Sequence, residues 1–204
     1  MTTRPQGLAV PAPSFSEHPL AVAIVSPELL IRVSKHHTDE PFFGHKGMNR
    51  FDDPHTNEEA RYGTCYFGYK LETAIAETLL HDISPTNGIF SISPDDIATR
   101  FAIHYKGKLL YLADLTGVAL KRMGLDAELT GTSDYTIPQQ WSNAIYNHPE
   151  NVDGFIYMSH HLNTEKAVVL FERATTKVKM DKATPLLSYS GFAKAAKTLG
   201  IRSA

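Results

Sequence analysis

The apolar residues of this chain come in short runs whose period keeps changing, and that pattern constrains the fold more than any other feature. Leu29-Leu30-Ile31-Arg32-Val33, Tyr66 to Tyr69, Ile89 to Ser93, Phe101 to Tyr105, Leu109 to Leu112, Phe155 to Met158, Ala167 to Phe171 and Lys177 to Met180 each read as one short strand. Lys106-Gly107-Lys108 lies between two of them and predicts a hairpin. Leu71, Ala74, Ile75, Thr78 and Leu79 fall at helical spacing, which predicts an amphipathic helix over 71–81. Ser93-Pro94-Asp95-Asp96 offers an N-cap, a first-turn proline and first-turn acids. Further helices are expected over Thr116 to Met123 before Gly124, from Pro138 with Trp141, Ala144 and Ile145 as its buried face, and over Phe192 to Leu199 before Gly200. Strands and helices that alternate without a repeating βαβ unit argue an α+β fold.

The length of 204 residues suits one domain with an arm. Residues 1–19 carry Pro5, Pro11, Pro13 and Pro19, favour extended backbone and read as that arm, with a single domain over 20–204. Lys plus Arg is 20 and Asp plus Glu is 22, so the net charge is 20 − 22 = −2, without the basic surplus of a general nucleic-acid binder. The single cysteine, Cys65, excludes an intramolecular disulfide and a multi-cysteine zinc site, and the plain reading is a cytoplasmic protein. The longest early apolar run, Leu20 to Val25, falls far short of the roughly 20 residues that span a bilayer. With no signal-peptide layout, no membrane partner is expected, while export by a specialised secretion system stays open.

Common motifs are absent. There is no G-x-x-x-x-G-K-[ST], no G-x-G-x-x-G after a strand, no H-E-x-x-H and no G-x-S-x-G. Of ten histidines, His36-His37 and His160-His161 are adjacent pairs, which point apart on a strand or helix. No standard metal-ligand spacing occurs, so the histidines read as solvated loop residues and no metal is expected. The polar stretch from Ser34 to Gly63 reads as a long loop, and such loops inside compact domains are often functional.

Five residues could together hold a phosphorylated, charged ligand. Arg32 lies on a short strand, Arg50 near the end of the polar loop, and Tyr66 eleven residues before Glu77, while Ser159 closes Asp153-Gly154-Phe155-Ile156-Tyr157-Met158-Ser159. Arginine grips phosphate oxygens with a planar fork, an aromatic face stacks on a ring or cation, and a carboxylate stabilises developing positive charge. Singly, each has a structural use: a surface arginine, a partner for Asp52 or Asp53, a core tyrosine, a helix-surface acid, a turn cap.

Leu30-Ile31-Arg32-Val33, Asn49-Arg50-Phe51, Cys65-Tyr66-Phe67-Gly68 with Ala74-Ile75-Ala76-Glu77, and the segment Asp153 to Ser159 resemble the RES domain, over roughly residues 29–172. The resemblance implies an ADP-ribosyltransferase-like fold with a mixed or antiparallel β core flanked by helices. It implies a bacterial toxin, paired with an Xre-type antitoxin or an immunity protein, that consumes NAD+. Carried over, Arg32, Arg50, Tyr66, Glu77 and Ser159 match the family's two arginines, tyrosine, glutamate and serine. Glu77, Arg32 and Tyr66 are then expected in catalysis, and Arg32, Arg50, Tyr66 and Ser159 in substrate binding. Two departures stand out. Asn49 precedes the second arginine and Asp52-Asp53-Pro54 follows, and His160-His161 follows the serine where the family often has arginine.

The mechanism so implied breaks the nicotinamide–ribose bond. Glu77 would hold the ribose and its growing charge, the arginines the pyrophosphate, and Ser159 the nicotinamide ribose or a phosphate. No bound cofactor is expected, because NAD+ is the substrate. The acceptor stays open between inorganic phosphate, which makes the enzyme a phosphorylase, water, which makes it a glycohydrolase, and a protein, which makes it an ADP-ribosyltransferase. A nucleotide-binding module without turnover and a homodimer also stay open.

Overall fold

An eight-stranded mixed sheet carries the molecule. The computed structural model describes residues 7–81 and 83–203. The chain enters through β1 (Val22–Val25), β2 (Ile31–Ser34), β3 (Thr64–Gly68) and α1 (Leu71–Ala76). It continues through β4 (Phe90–Ile92), α2 (Pro94–Ala98), β5 (Phe101–Gly107) and β6 (Leu110–Leu115). Three helices follow, α3 (Gly117–Arg122), α4 (Glu128–Gly131) and α5 (Thr136–Tyr146), and then β7 (Gly154–Met158), β8 (Lys166–Phe171) and β9 (Val178–Pro185). It closes with α6 (Phe192–Leu199) and β10 (Ile201–Ser203). The strand order is β1-β6-β7-β8-β3-β2-β5-β9, with β10 and β4 forming a separate parallel pair. In the large sheet β6 and β7 run parallel, joined through the three helices, and every other neighbouring pair is antiparallel. This is the mixed core with flanking helices that was expected.

Alternation along the strands divides the core. Cys65, Phe67, Ile103, Leu112, Val168 and Leu170 meet on one side. Phe155, Tyr157, Val169 and Phe171 point to the other, where Phe51, Trp141 and Ile145 cover them. Ile31, Val33 and Ala102 pack instead against Ile75 of α1, Leu79 just beyond it, and Ala195 of α6.

Several expectations change. The hairpin at Lys106-Gly107-Lys108 does not form. β5 pairs with β2 and β9, while β6 pairs with β1 and β7. Gly107, at φ 146°, turns the chain away where a Cβ would lie 2.0 Å from the Lys177 carbonyl oxygen, and Lys108 N then donates to that oxygen at 2.8 Å. Two residues thus join the second and seventh strands of the order, which requires a strongly curled sheet. The helix expected over 71–81 ends at Ala76, with Glu77 as its cap. The Ile75 carbonyl accepts from the amides of Thr78, Leu79 and Leu80, so the coil widens and stops. On α5, Ser142 is buried with Trp141 and Ile145, and Ala144 is only half-buried.

Of the expected arm, residues 1–6 with Pro5 lie outside the described residues. The remainder lies on the domain and includes a 3-10 helix, Pro13–Glu17, where extended backbone was expected. Phe15 meets Trp141 edge to face at 5.2 Å, and Trp141 Nε1 donates to the Ala9 carbonyl at 2.7 Å. Among the described residues no helix is long and apolar enough to cross a membrane.

Candidate active site

β2 and β3 share one registered pair, Ile31 with Gly68, and then diverge. The split opens a cavity of about 320 Å³, at the low end of the roughly 300–1,000 Å³ usual for small-molecule sites. Arg32, Arg50, Tyr66 and Glu77 all line it, with Phe51, Tyr157, His81, His160 and His161. Four of the five residues singled out from the sequence therefore meet in one place.

Arg32 is held from beneath. Its Nε donates to Glu40 Oε1 at 3.1 Å, and its Nη1 to Cys65 Sγ and the Tyr66 carbonyl, both at 3.2 Å. The Glu40 side chain is fully buried and also accepts from the Tyr105 hydroxyl at 3.0 Å and from Phe42 N at 3.1 Å. Burial opposes the guanidinium's charge, but Cys65 and Glu40 together outweigh it and hold its pKa above the ordinary value. Among the described residues Nη2 has no hydrogen-bond partner, so this arm of the fork is the one available to a ligand. Burial pushes the Cys65 thiol up to about 12, so it is no thiolate nucleophile at neutral pH.

Arg50 pairs with neither Asp52 nor Asp53. Its Nη1 donates to the Thr132 carbonyl, and its guanidinium lies 4.6 Å from the centre of the Tyr135 ring. Asp52 is instead the anchor of Tyr66, whose hydroxyl donates to Oδ1 at 3.0 Å and accepts from Phe51 N at 3.1 Å. Thr64 and Asn49 also donate to this buried carboxylate. The Tyr66 hydroxyl is committed to the loop, and burial beside Asp52 holds it protonated, so what the ring offers a ligand is its face.

Glu77 sits at the end of α1, half-buried, and accepts from Ser159 Oγ at 2.6 Å. Burial raises its pKa, while Ser159, His81 and Arg50 pull it down. Ser159 itself is 1% exposed and does not line the cavity. Its hydroxyl donates to Glu77 and accepts from Leu162 N at 3.1 Å. Ser159 therefore stands behind the Glu77 carboxylate rather than at the cavity surface.

Sequence reasoning missed several members. Glu40 and Asp52 lie in the polar loop, where nothing local marks which acid faces which partner. Tyr157 looked like one more strand aromatic, and burial next to Glu77 holds its hydroxyl protonated. The histidines did leave a signal, since His160-His161 broke the expected pattern after the serine. Three of the supposed loop histidines are cavity residues, with ring centres 5.1 Å apart for His81 and His161 and 5.2 Å apart for His160 and His161. Among the described residues no group of three or more His, Cys, Asp or Glu has a metal-binding arrangement.

A family model described as "RES domain" matches residues 29–190. Over 80 residues the chain is 36% identical to "Probable toxin y4kH" of Sinorhizobium fredii (strain NBRC 101917 / NGR234), a match covering 39% of this chain and 62% of that relative's length. Its fold is similar to that of a chain in the crystal structure of the M. tuberculosis MbcT–MbcA toxin–antitoxin complex. The TM-score is 0.55 at 14% identity, covering 76% of this chain and 81% of the other. At that identity the likeness speaks for the fold alone, and it agrees with the α+β class expected above.

Proposed function

The chain belongs to the RES-domain family, and from that membership we propose that it is the toxin of a toxin–antitoxin system and acts by cleaving the nicotinamide–ribose bond of NAD+. The observation that carries the reading is the convergence of Arg32, Arg50, Tyr66 and Glu77 on one cavity, with the Glu77 carboxylate held at 2.6 Å by Ser159. The cavity's volume suits one end of a dinucleotide.

In this mechanism the arginines hold the pyrophosphate, a doubly charged group suited to two guanidinium forks. Tyr66 presents its face to the nicotinamide end. Glu77 faces the ribose, where positive charge grows as the neutral nicotinamide leaves, and its negative charge is worth more in the transition state than in the ground state. Ser159 keeps that carboxylate aimed and opposes its protonation. Inorganic phosphate, water and a protein all remain chemically competent acceptors.

An antitoxin that covers the cleft is the partner this activity requires in the cytoplasm of its own cell, or an immunity protein if the toxin is delivered to other cells. The relatives named above, a probable toxin and a toxin–antitoxin complex, support this reading. The loop from Ser34 to Gly63 supplies Arg50 to the cavity lining and exposes Phe42 and Met48, which makes it the contact surface.

Incubation of the purified chain with NAD+, following nicotinamide and identifying the ribosyl product by mass spectrometry, tests the activity. Induction in a bacterium should arrest growth as NAD+ falls, and co-expression of the partner should prevent this. Growth arrest at unchanged NAD+, or a purified protein that releases no nicotinamide, removes the reading.

A further inference from the structure

One wall of the cavity is made of histidine. His160 and His161 follow directly after Ser159, and His81 comes from the turn beyond α1, so all three sit beside the Glu77–Ser159 pair. The cavity's other charges are already assigned. Arg32 is tied to Glu40, Arg50 is tied to Thr132 and Tyr135, and among the described residues no lysine or further arginine lines the space. If both arginines hold a pyrophosphate, a second phosphate dianion as acceptor finds cationic partners only on histidines that carry protons. Arg50 from the long loop and His81 from the turn beyond α1 act on His160, His161 lies beside it, and Glu77 lines the same cavity. Burial, together with Arg50 and His81, depresses the pKa of His160, so at neutral pH this side chain is a neutral imidazole, able to accept a proton and poorly suited to binding a dianion.

Resting on the reading of this cavity as the site of NAD+ cleavage, we infer that the histidine wall is the acceptor subsite, that the acceptor is water, and that His160 is the base that takes water's proton. The glycosidic carbon–nitrogen bond breaks with its electron pair going to the nicotinamide nitrogen, which neutralises the pyridinium. The water oxygen forms the new bond to the same ribose carbon. One water proton passes to His160 and from there to solvent. The sum is NAD+ plus water giving ADP-ribose, nicotinamide and one proton, with no further reactant. Phosphate needs no such base, because its dianion attacks without losing a proton first.

The test follows product identity and rate against pH in the purified chain, with and without inorganic phosphate, in water enriched in heavy oxygen. The expected product is ADP-ribose carrying the solvent oxygen, formed at a rate that phosphate does not raise. General bases contribute about 10²–10⁴-fold, so His160→Ala should lower kcat by about a hundredfold or more with little change in KM. It should also remove one acidic limb of the pH profile while leaving the limb due to Glu77. His160 is only partly withdrawn from solvent, so the variant should melt close to the parent. Phosphate-dependent turnover to ADP-ribose-1″-phosphate overturns the inference while sparing the proposed function. So does a His160→Ala enzyme with the parent's rate and both limbs, or a limb that vanishes in His161→Ala instead. Absence of nicotinamide release from the parent overturns the function and the inference together.

Discussion

Glu77 and Arg32 both line the cavity, yet their side chains are supported in opposite ways, and substitutions should separate them. Burial raises the Glu77 pKa, so the folded state binds its proton more tightly than the unfolded chain does. Stability from this group is therefore complete at low pH and declines as pH rises from the unfolded carboxylate pKa through the raised folded one. Glu77→Gln removes that penalty and should melt no lower than the parent at neutral pH. Its nicotinamide release should fall by about 10²–10³, the usual loss for one such electrostatic contact. Ser159→Ala takes away a group that opposes protonation, so the acidic limb due to Glu77 should move to higher pH. An unmoved limb would mean that the 2.6 Å contact does not tune the carboxylate. Arg32→Ala is different, because it leaves the Glu40 carboxylate buried without its cation. Breaking a buried pair costs about 3–5 kcal/mol, and the low end applies here because Tyr105 and Phe42 still donate to Glu40. A urea titration of Arg32→Ala should show a large drop in midpoint, so its activity loss alone does not measure ligand binding.

At the scale of elements, β7 is the strand that delivers Ser159 to Glu77, and its place depends on Gly154. A Cβ there would lie 2.0 Å from the Val169 carbonyl oxygen and 2.9 Å from Leu170 Cα, both backbone atoms of β8 that cannot step aside cheaply. Gly154→Ala should therefore push the β7–β8 pair apart, cost about 1–3 kcal/mol as overpacking does, and lower activity in parallel by shifting Ser159. Gly131, at the end of α4, has nothing within 4 Å of its Cβ position, and its φ is not positive. Gly131→Ala should be neutral or stabilising by up to about 1 kcal/mol. Thermal melts of the two variants, read together, separate a close-approach glycine from an incidental one.

At the scale of the whole molecule, the N-terminal segment is packed onto the face that holds Trp141, the protein's one tryptophan. Trp141 is 3% exposed, and the segment contributes both Phe15 against its ring and the Ala9 carbonyl to its indole N–H. Removing residues 1–19 should expose the indole, shift its emission to the red and lower the melting temperature. No residue of 7–19 lines the cavity, so nicotinamide release by the shortened chain should persist at temperatures below its melt. Emission at the parent's wavelength after truncation would mean that other residues close over the indole.

What the sequence by itself determined is what short-range physics writes into it. The spacing of apolar residues with the terminal glycine located α6 over Phe192–Leu199, where Gly200 does take the left-handed φ of 71°. Ser93 does cap α2, its hydroxyl accepting from Asp96 N. The strand runs and the family resemblance brought Arg32, Arg50, Tyr66 and Glu77 forward as one set. What only the tertiary structure decided is how distant segments face one another. A hydrophobic run states that a strand exists but not which neighbour it chooses, so the apparent β5–β6 hairpin dissolved once Gly107 and the Lys177 carbonyl steered the chain across the sheet. An isolated carboxylate carries no mark of its partner, so Glu40 under Arg32, Asp52 under Tyr66 and Ser159 behind Glu77 became visible only when the fold closed separations of 8, 14 and 82 residues. The cavity itself arises from the divergence of β2 and β3 after one registered pair, a property of how two strands are packed rather than of either strand's sequence.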